Sequence, residues 1–254
     1  MNPKWSSRFE LKPGKWVFVP TPESVVIGNK IKASIESTWH PPSFYYHLRA
    51  GGHVAALKSH THRKNFLRID LQDFFGSIGL GRVTRRLTER FGYELGRSWA
   101  KASTVRHPTD KTRRVLPFGF VQSPVIASLC LAKSALGKRL HEISKMSDID
   151  VSVYMDDIII STDDEELCSN VLDSVGHSAR VSAFTLNLSK LQGPVPLITA
   201  FNILLGHETL HVAESRMASF SNDLEQATSH AQRAGIIAYV ASVNAGQAAG
   251  LETS

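Results

Sequence analysis

The period of the apolar positions changes several times along the chain, and each change marks an element. Val151-Ser152-Val153-Tyr154-Met155-Asp156-Asp157-Ile158-Ile159-Ile160 is two short runs rich in β-branched residues around a pair of adjacent carboxylates. That pattern predicts a tight β-hairpin with Asp156 and Asp157 at its tip. Upstream, Phe66-Leu67-Arg68-Ile69-Asp70-Leu71 reads as a strand that delivers one carboxylate at its end, before a helical pattern through Phe74, Phe75 and Ile78. Over 80–91, Val83 and Leu87 share a helical face with Leu80 or Phe91, while Arg82, Arg85, Arg86 and Arg90 occupy the other faces. Arg106 to Arg114 is polar and turn-like, the loop of a hairpin leading into Val115. Val125, Leu129, Ala132, Leu136 and Leu140 predict one long helix over Val121 to Ile143. A further helix over Asp163 to Phe184 opens on an acidic run that complements a helix N-terminus. Ala200 to His207 reads as a short hairpin, and Phe220 to Val243 as one or two helices.

The first 65 residues divide less clearly, because Pro13, Pro20, Pro22, Pro41 and Pro42 break them into short pieces. Lys30 to Ile35 reads as the beginning of a helix, and Arg49-Ala50-Gly51-Gly52-His53 as a turn before a second helical stretch. With 254 residues and 42% apolar side chains the chain can bury a sizeable core. A formal net charge of +6 suits a polyanionic partner, although many basic proteins bind no nucleic acid. Cys130 and Cys168 make no metal-ligand spacing and are expected to be buried and reduced, in a cytoplasmic protein. No stretch approaches the roughly 18 apolar residues that span a bilayer, so no membrane association is expected. His53, His60 and His62 lack a Cys or second paired His at ligand spacing, which favours a contact to the polyanionic partner or a surface role over zinc.

Two ionised acids side by side on a turn repel each other, and a fold tolerates them more readily when a divalent cation neutralises them. A solvated acidic turn would carry the same dipeptide, and a lone strand-end Asp is often the N-cap of the next helix. Together, Asp70 and the Asp156-Asp157 pair, brought from two strands to one sheet edge, suit Mg²⁺ held by carboxylates and substrate phosphates. That is the arrangement of two-metal phosphoryl transfer.

At these residues the chain resembles the reverse transcriptases. Tyr154-Met155-Asp156-Asp157 is similar to their Tyr-x-Asp-Asp box, and Asp70 with Phe74-Phe75 to their first palm motif, Asp-[Leu/Ile]-x-x-Phe-Phe-x-x-Ile. Leu116-Pro117-Phe118-Gly119-Phe120-Val121-Gln122-Ser123-Pro124 is similar to their Leu-Pro-Gln-Gly-x-x-x-Ser-Pro motif, and the order and approximate separations of all three agree. Tyr45 to Lys64 is a looser match to the fingers motif of retron and group II intron enzymes. Leu186-Asn187-Leu188-Ser189-Lys190 resembles the fourth palm motif.

The resemblance implies an α+β right-hand polymerase, with fingers, a ferredoxin-like palm of antiparallel sheet backed by helices, and a short helical thumb. Its expected divisions are fingers over 1–65 and 81–115, palm over 66–80 and 116–212, and thumb over 213–254. No room is left for an RNase H or endonuclease domain. The implied activity is RNA-directed DNA polymerisation, a nucleotidyl transfer to a primer 3′-hydroxyl, with two Mg²⁺ ions (Mn²⁺ as substitute) held by Asp70, Asp156 and, more weakly, Asp157. Lys190 would protonate or neutralise the leaving pyrophosphate. Arg49, Leu71, Phe75, Phe118, Gly119, Gln122, Tyr154 and Met155 would line the nucleotide site, with Arg49 gripping phosphate as a guanidinium fork. Phe75 would collide with a ribose 2′-hydroxyl and so select deoxynucleotides. Phe118 stands where many relatives carry Gln, which removes a side-chain hydrogen bond to the nucleotide. Gly119 would let backbone approach a ligand closely.

The implied partners are an RNA template, a DNA primer or product and dNTPs, with a partner protein or a second copy also compatible. The compact form and short thumb resemble the bacterial retron and Abi/UG group, which implies antiviral defence with a dedicated noncoding RNA. Template-independent or protein-primed synthesis is an alternative within the same chemistry, and RNA-dependent RNA synthesis a weaker one because of Phe75. A non-catalytic RNA-binding scaffold is the alternative from another class, against which the three retained acids argue.

Overall fold

The computed structural model of the chain describes residues 4–252. It begins with an antiparallel hairpin, β1 (Trp5–Lys12) and β2 (Lys15–Pro20), whose turn places Gly14 at φ +80°. Helix α1 (Pro22–Thr38) follows. Thr21 caps it by accepting a hydrogen bond from the Ser24 N–H at 3.3 Å, and Pro22 sits in the first turn, where a missing N–H is harmless. The helix therefore starts at the proline rather than at Lys30.

Helix α2 (Gly52–Lys58) and strand β3 (Asn65–Gln72) lead to a single turn, α3 (Phe74–Ser77). Then come α4 (Leu80–Phe91), burying Val83 and Leu87 as expected, and α5 (Tyr93–Ala102). The basic loop lies between β4 (Val105–Arg106) and β5 (Arg114–Val115). Two helices, α6 (Ser123–Ala132) and α7 (Ala135–Ile143), stand where the apolar period predicts one. Ser134 makes the break, its Oγ accepting from the Gly137 N–H at 3.1 Å, and Gly137 passes so close to the Leu131 carbonyl that no Cβ would fit.

The predicted hairpin is β6 (Ile149–Tyr154) and β7 (Asp157–Thr162), followed by α8 (Glu165–Val181), which Asp164 caps by accepting from the Leu167 N–H at 3.1 Å. Short strands β8 (Thr185–Leu186) and β9 (Gln192–Val195) come next. A meander of three strands, β10 (Leu197–Ala200), β11 (Ile203–Gly206) and β12 (Thr209–Val212), replaces the simple hairpin expected there. The chain ends in α9 (Glu214–Glu225), α10 (His230–Val243) and α11 (Ala245–Glu252).

These elements form two compact units. The first comprises Met1–Ser43, Leu71–Glu142 and Val175–Leu186. In it Phe18, Val105 and Phe120 pack with Trp5 and Trp16. The second comprises Phe44–Asp70, Ile143–Ser174 and Asn187–Ser254. Its antiparallel sheet runs β6-β7-β3, with β9 beside β3. Leu57, Phe66 and Ile159 share one apolar core there with the β10–β12 meander and with Phe220, Leu224 and Val240 from the last helices. The architecture is thus mixed α and β with antiparallel sheets, as a polymerase palm requires.

His60 departs from the surface role expected of it: it is fully buried in the second unit, between the Ser152 hydroxyl at 2.8 Å and the Ser161 hydroxyl at 2.7 Å. Both cysteines are buried free thiols. Among the described residues no helix is long and apolar enough to cross a membrane.

Candidate active site

In the second unit, β3 and β7 pair with Asp70 directly opposite Asp157, and β6 and β7 pair with Tyr154 opposite Asp157. Directly opposed residues of an antiparallel pair project to the same face, so the Asp70 and Asp157 carboxylates are neighbours. Asp156 lies beside them in the two-residue turn formed with Met155. The sheet thus brings Asp70 and Asp157 side by side at one edge, with Asp156 in the adjoining turn.

Each carboxylate of the opposed pair has its own cationic partner. Asp70 is only 3% exposed; its Oδ2 accepts from the Lys190 ammonium at 2.8 Å and its Oδ1 from the Asn187 amide at 2.9 Å. The Asn187 N–H also donates to the Asp70 carbonyl at 2.8 Å, which locks the Asn187–Lys190 turn onto the end of β3. Asp157 Oδ1 accepts from Arg68 Nε at 3.1 Å and Nη2 at 3.0 Å, and Arg68 Nη1 donates to the Thr199 carbonyl at 2.7 Å. Burial raises the Asp157 pKa above the usual carboxylate range, the opposing pull of Arg68 notwithstanding. The hydrogen bond to Asp70 raises the Lys190 pKa, helped by the field of Asp157 and Asp156.

The hairpin tip is held from below. Met155 adopts φ +61°, a region that non-glycine residues seldom enter, and its N–H donates to His47 Nδ1 at 3.1 Å. Burial lowers the His47 pKa to about 4, so the ring is neutral and its Nδ1 free of a proton to accept that bond. The Tyr154 ring meets Phe201 edge-on at 5.3 Å, His53 at 5.8 Å and His47 at 5.8 Å. His53 in turn reaches the Tyr239 hydroxyl at 3.2 Å. A cavity of about 580 Å³ opens beside this cluster, between the Phe201-Asn202 turn and Arg216, Phe220 and Tyr239. Arg49, also in this unit, stacks its guanidinium on Tyr46 at 4.7 Å.

The remaining candidates belong to the first unit. Leu71 is buried there opposite Leu186. Phe75 meets Phe118 edge-on at 5.7 Å, and the Lys15 ammonium lies 4.7 Å over the Phe118 ring. Gly119 has φ +110°, and a Cβ there would strike the Phe18 carbonyl; the backbone it lets approach is that of β2, where the Phe18 N–H donates to the Phe118 carbonyl at 2.9 Å. Gln122 is buried, with its amide donating to the Ser103 hydroxyl at 3.2 Å and its Oε1 without a hydrogen-bond partner among the described residues.

Sequence reasoning missed Arg68, Asn187 and His47. Arg68 was within reach, since it stands two residues before Asp70 on the same strand face. Nothing in the local sequence singles out His47. The donors at the site are hard carboxylate oxygens. Among the described residues no three His, Cys, Asp or Glu side chains gather into a group that could hold a metal ion, and both Asp70 oxygens already accept hydrogen bonds, from Lys190 and Asn187. Carboxylate oxygens are of the hard kind that Mg²⁺ accepts, and that ion takes as few as one or two of them when water and substrate phosphates complete its shell.

Residues 14–211 match the family described as "Reverse transcriptase (RNA-dependent DNA polymerase)". Over 211 residues the chain is 25% identical to the Retron Ec73 reverse transcriptase of Escherichia coli, a match covering 75% of this chain and 66% of that protein. In fold it is similar to telomerase from Candida albicans, solved with a fragment of telomeric RNA, with a TM-score of 0.55 and 8% identity over 90% of this chain and 47% of the other. The chain thus spans about two thirds of its bacterial relative and less than half of the telomerase.

Proposed function

The chain belongs to the reverse transcriptase family, and on that basis we propose that it is an RNA-directed DNA polymerase of the retron type, extending a primer 3′-hydroxyl with dNTPs on an RNA template. The observation that carries this reading is the direct opposition of Asp70 and Asp157 beside the Asp156 turn. Two divalent cations, Mg²⁺ with Mn²⁺ as substitute, held by Asp70 and Asp156 with Asp157 alongside, would supply activation of the primer hydroxyl and neutralisation of the triphosphate.

The chain's own residues would do the rest. Asp157, tied down by Arg68, fixes the register of the hairpin more than it offers free oxygens. Lys190 keeps its proton firmly because Asp70 accepts from it, so it serves the leaving pyrophosphate better as a fixed positive charge than as a proton donor. The Phe201-Asn202 turn and the adjoining cavity would hold the primer strand beside Tyr154. Phe75, buttressed by Phe118, would exclude ribonucleotides. The names fingers, palm and thumb, a dedicated noncoding RNA and a role in antiviral defence belong to the same proposal, supported by the likeness to the retron enzyme.

The test is incorporation of dNTPs on a primed RNA template with Mg²⁺, comparing the native chain with Asp156→Asn. Loss of incorporation in the variant supports the reading, and incorporation that survives the substitution removes the site.

A further inference from the structure

The first unit carries a second cavity, of about 430 Å³, lined by Lys4, Arg8, Arg106, Lys111 and Arg114 around Trp5. No acid lines it, and among the described residues none of the five cations has a carboxylate within ion-pair distance. The chain concentrates like charge here against its own stability. Arg106 and Arg114 are direct partners across the β4–β5 pair, where opposed like charges repel. Lys4 and Arg114 both donate to the Thr104 carbonyl, crowding two cations onto one acceptor. Burial, and then the neighbouring Arg114, lower the Lys4 pKa to about 8. The Arg8 guanidinium lies 5.7 Å from the ring of Trp5, the tryptophan in the cavity lining, and 5.1 Å from the Trp16 ring behind it.

A set of cations this close without an internal counter-ion calls for an anion from outside. Their spread over two hairpins exceeds what one phosphate group needs, and the Trp5 ring among them suits a chain of phosphates that carries a base able to stack. We propose that this cavity binds a single-stranded polynucleotide segment through its phosphodiester backbone, with a base against Trp5. Only the choice of a polynucleotide rests on the polymerase reading; the need for an anion follows from the cavity itself.

The experiment measures binding of labelled oligouridylate and oligothymidylate to the full chain by fluorescence anisotropy across a salt series, for the native chain and for Arg106→Ala/Lys111→Ala. Both side chains are exposed and make no hydrogen bond among the described residues, so the double variant should melt at or slightly above the native temperature, as the repulsion between Arg106 and Arg114 is relieved. Losing two phosphate contacts should lower affinity about tenfold and make the log–log salt dependence shallower by about 1.4. Trp5→Leu should lower affinity about fivefold or more while leaving that slope unchanged. The oligouridylate and oligothymidylate arms tell whether RNA or DNA is the strand held.

Unchanged affinity and slope in the double variant would overturn the proposal. So would equal loss for duplex DNA, displacement of the oligonucleotide by ATP or inorganic phosphate at matched phosphate concentration, or an effect confined to phosphatidylserine vesicles. A chain that fails to polymerise yet shows the binding loss would refute the polymerase reading and leave this site standing.

Discussion

Arg68 and Asp157 are joined by two hydrogen bonds to a single carboxylate oxygen, at 3.1 and 3.0 Å, in a site where both side chains are largely buried. Arg68 also holds the Thr199 carbonyl, whose own N–H is taken by Gln192 at 2.8 Å, so one guanidinium ties the acidic hairpin to the β10–β12 meander. A buried carboxylate stripped of its partner is costly, because neither water nor another donor replaces the lost charge. Arg68→Ala should therefore lower the unfolding free energy by about 3–5 kcal/mol in urea denaturation. Adding Asp157→Asn to Arg68→Ala should recover part of that loss. A change below about 1 kcal/mol, the range of an exposed ion pair, would contradict the role assigned to Arg68.

Phe75 and Phe118 form an edge-to-face pair in the first unit. If Phe75 excludes a ribose 2′-hydroxyl, Phe75→Ala should narrow the preference for dNTPs over rNTPs, measured as a ratio of kcat/KM values, by about tenfold or more. An unchanged ratio, with the variant folded and active on dNTPs, would leave Phe75 only a packing role.

The strands that carry Asp70 and the Asp156-Asp157 pair were legible in the sequence because their apolar runs are short, rich in β-branched residues and bounded by polar turns. What the runs could not show was the register between β3 and β7, which sets Asp70 opposite Asp157. Proline misled where it is ambiguous. Pro22 reads as a breaker but occupies the first turn of α1, and the Thr21 before it is the cap that settles the matter. The single helix expected over 121–143 failed at Lys133-Ser134, because an apolar period continues through a break whose cause is a serine cap and a glycine pressed on the Leu131 carbonyl. The need for glycine at 119 has a cause inside the fold that the sequence does not show, the close approach of the Phe18 carbonyl. Residues such as His47 and His60 carry no pattern, since what defines them is the backbone or hydroxyl partner that folding delivers.

His60 makes the acid side of the stability profile specific. Burial lowers its pKa from the ordinary 6.5 to about 4, opposed by Asp150 and reinforced by His62 and Arg63, the charged groups that act on it. The unfolded chain therefore takes up this proton first as pH falls. The stability that neutral His60 contributes is complete above about 6.5, declines between 6.5 and about 4, and is gone below. The loss is about 3 kcal/mol. Urea midpoints measured across this range should fall more steeply for the native chain than for His60→Gln, which cannot titrate. Parallel profiles would show that His60 is not the group responsible.

The central claim is that Asp70 and Asp156, brought to one edge of the sheet, carry out nucleotide addition. Single-turnover incorporation of a dNTP on a primed RNA template, with Mg²⁺ present, tests it most directly in Asp70→Asn and Asp156→Asn beside the native chain. The account predicts rapid incorporation by the native chain and at least about a thousandfold loss in each variant, as expected when a group stabilising the transition state is removed. Incorporation by either variant at a rate close to native would contradict it.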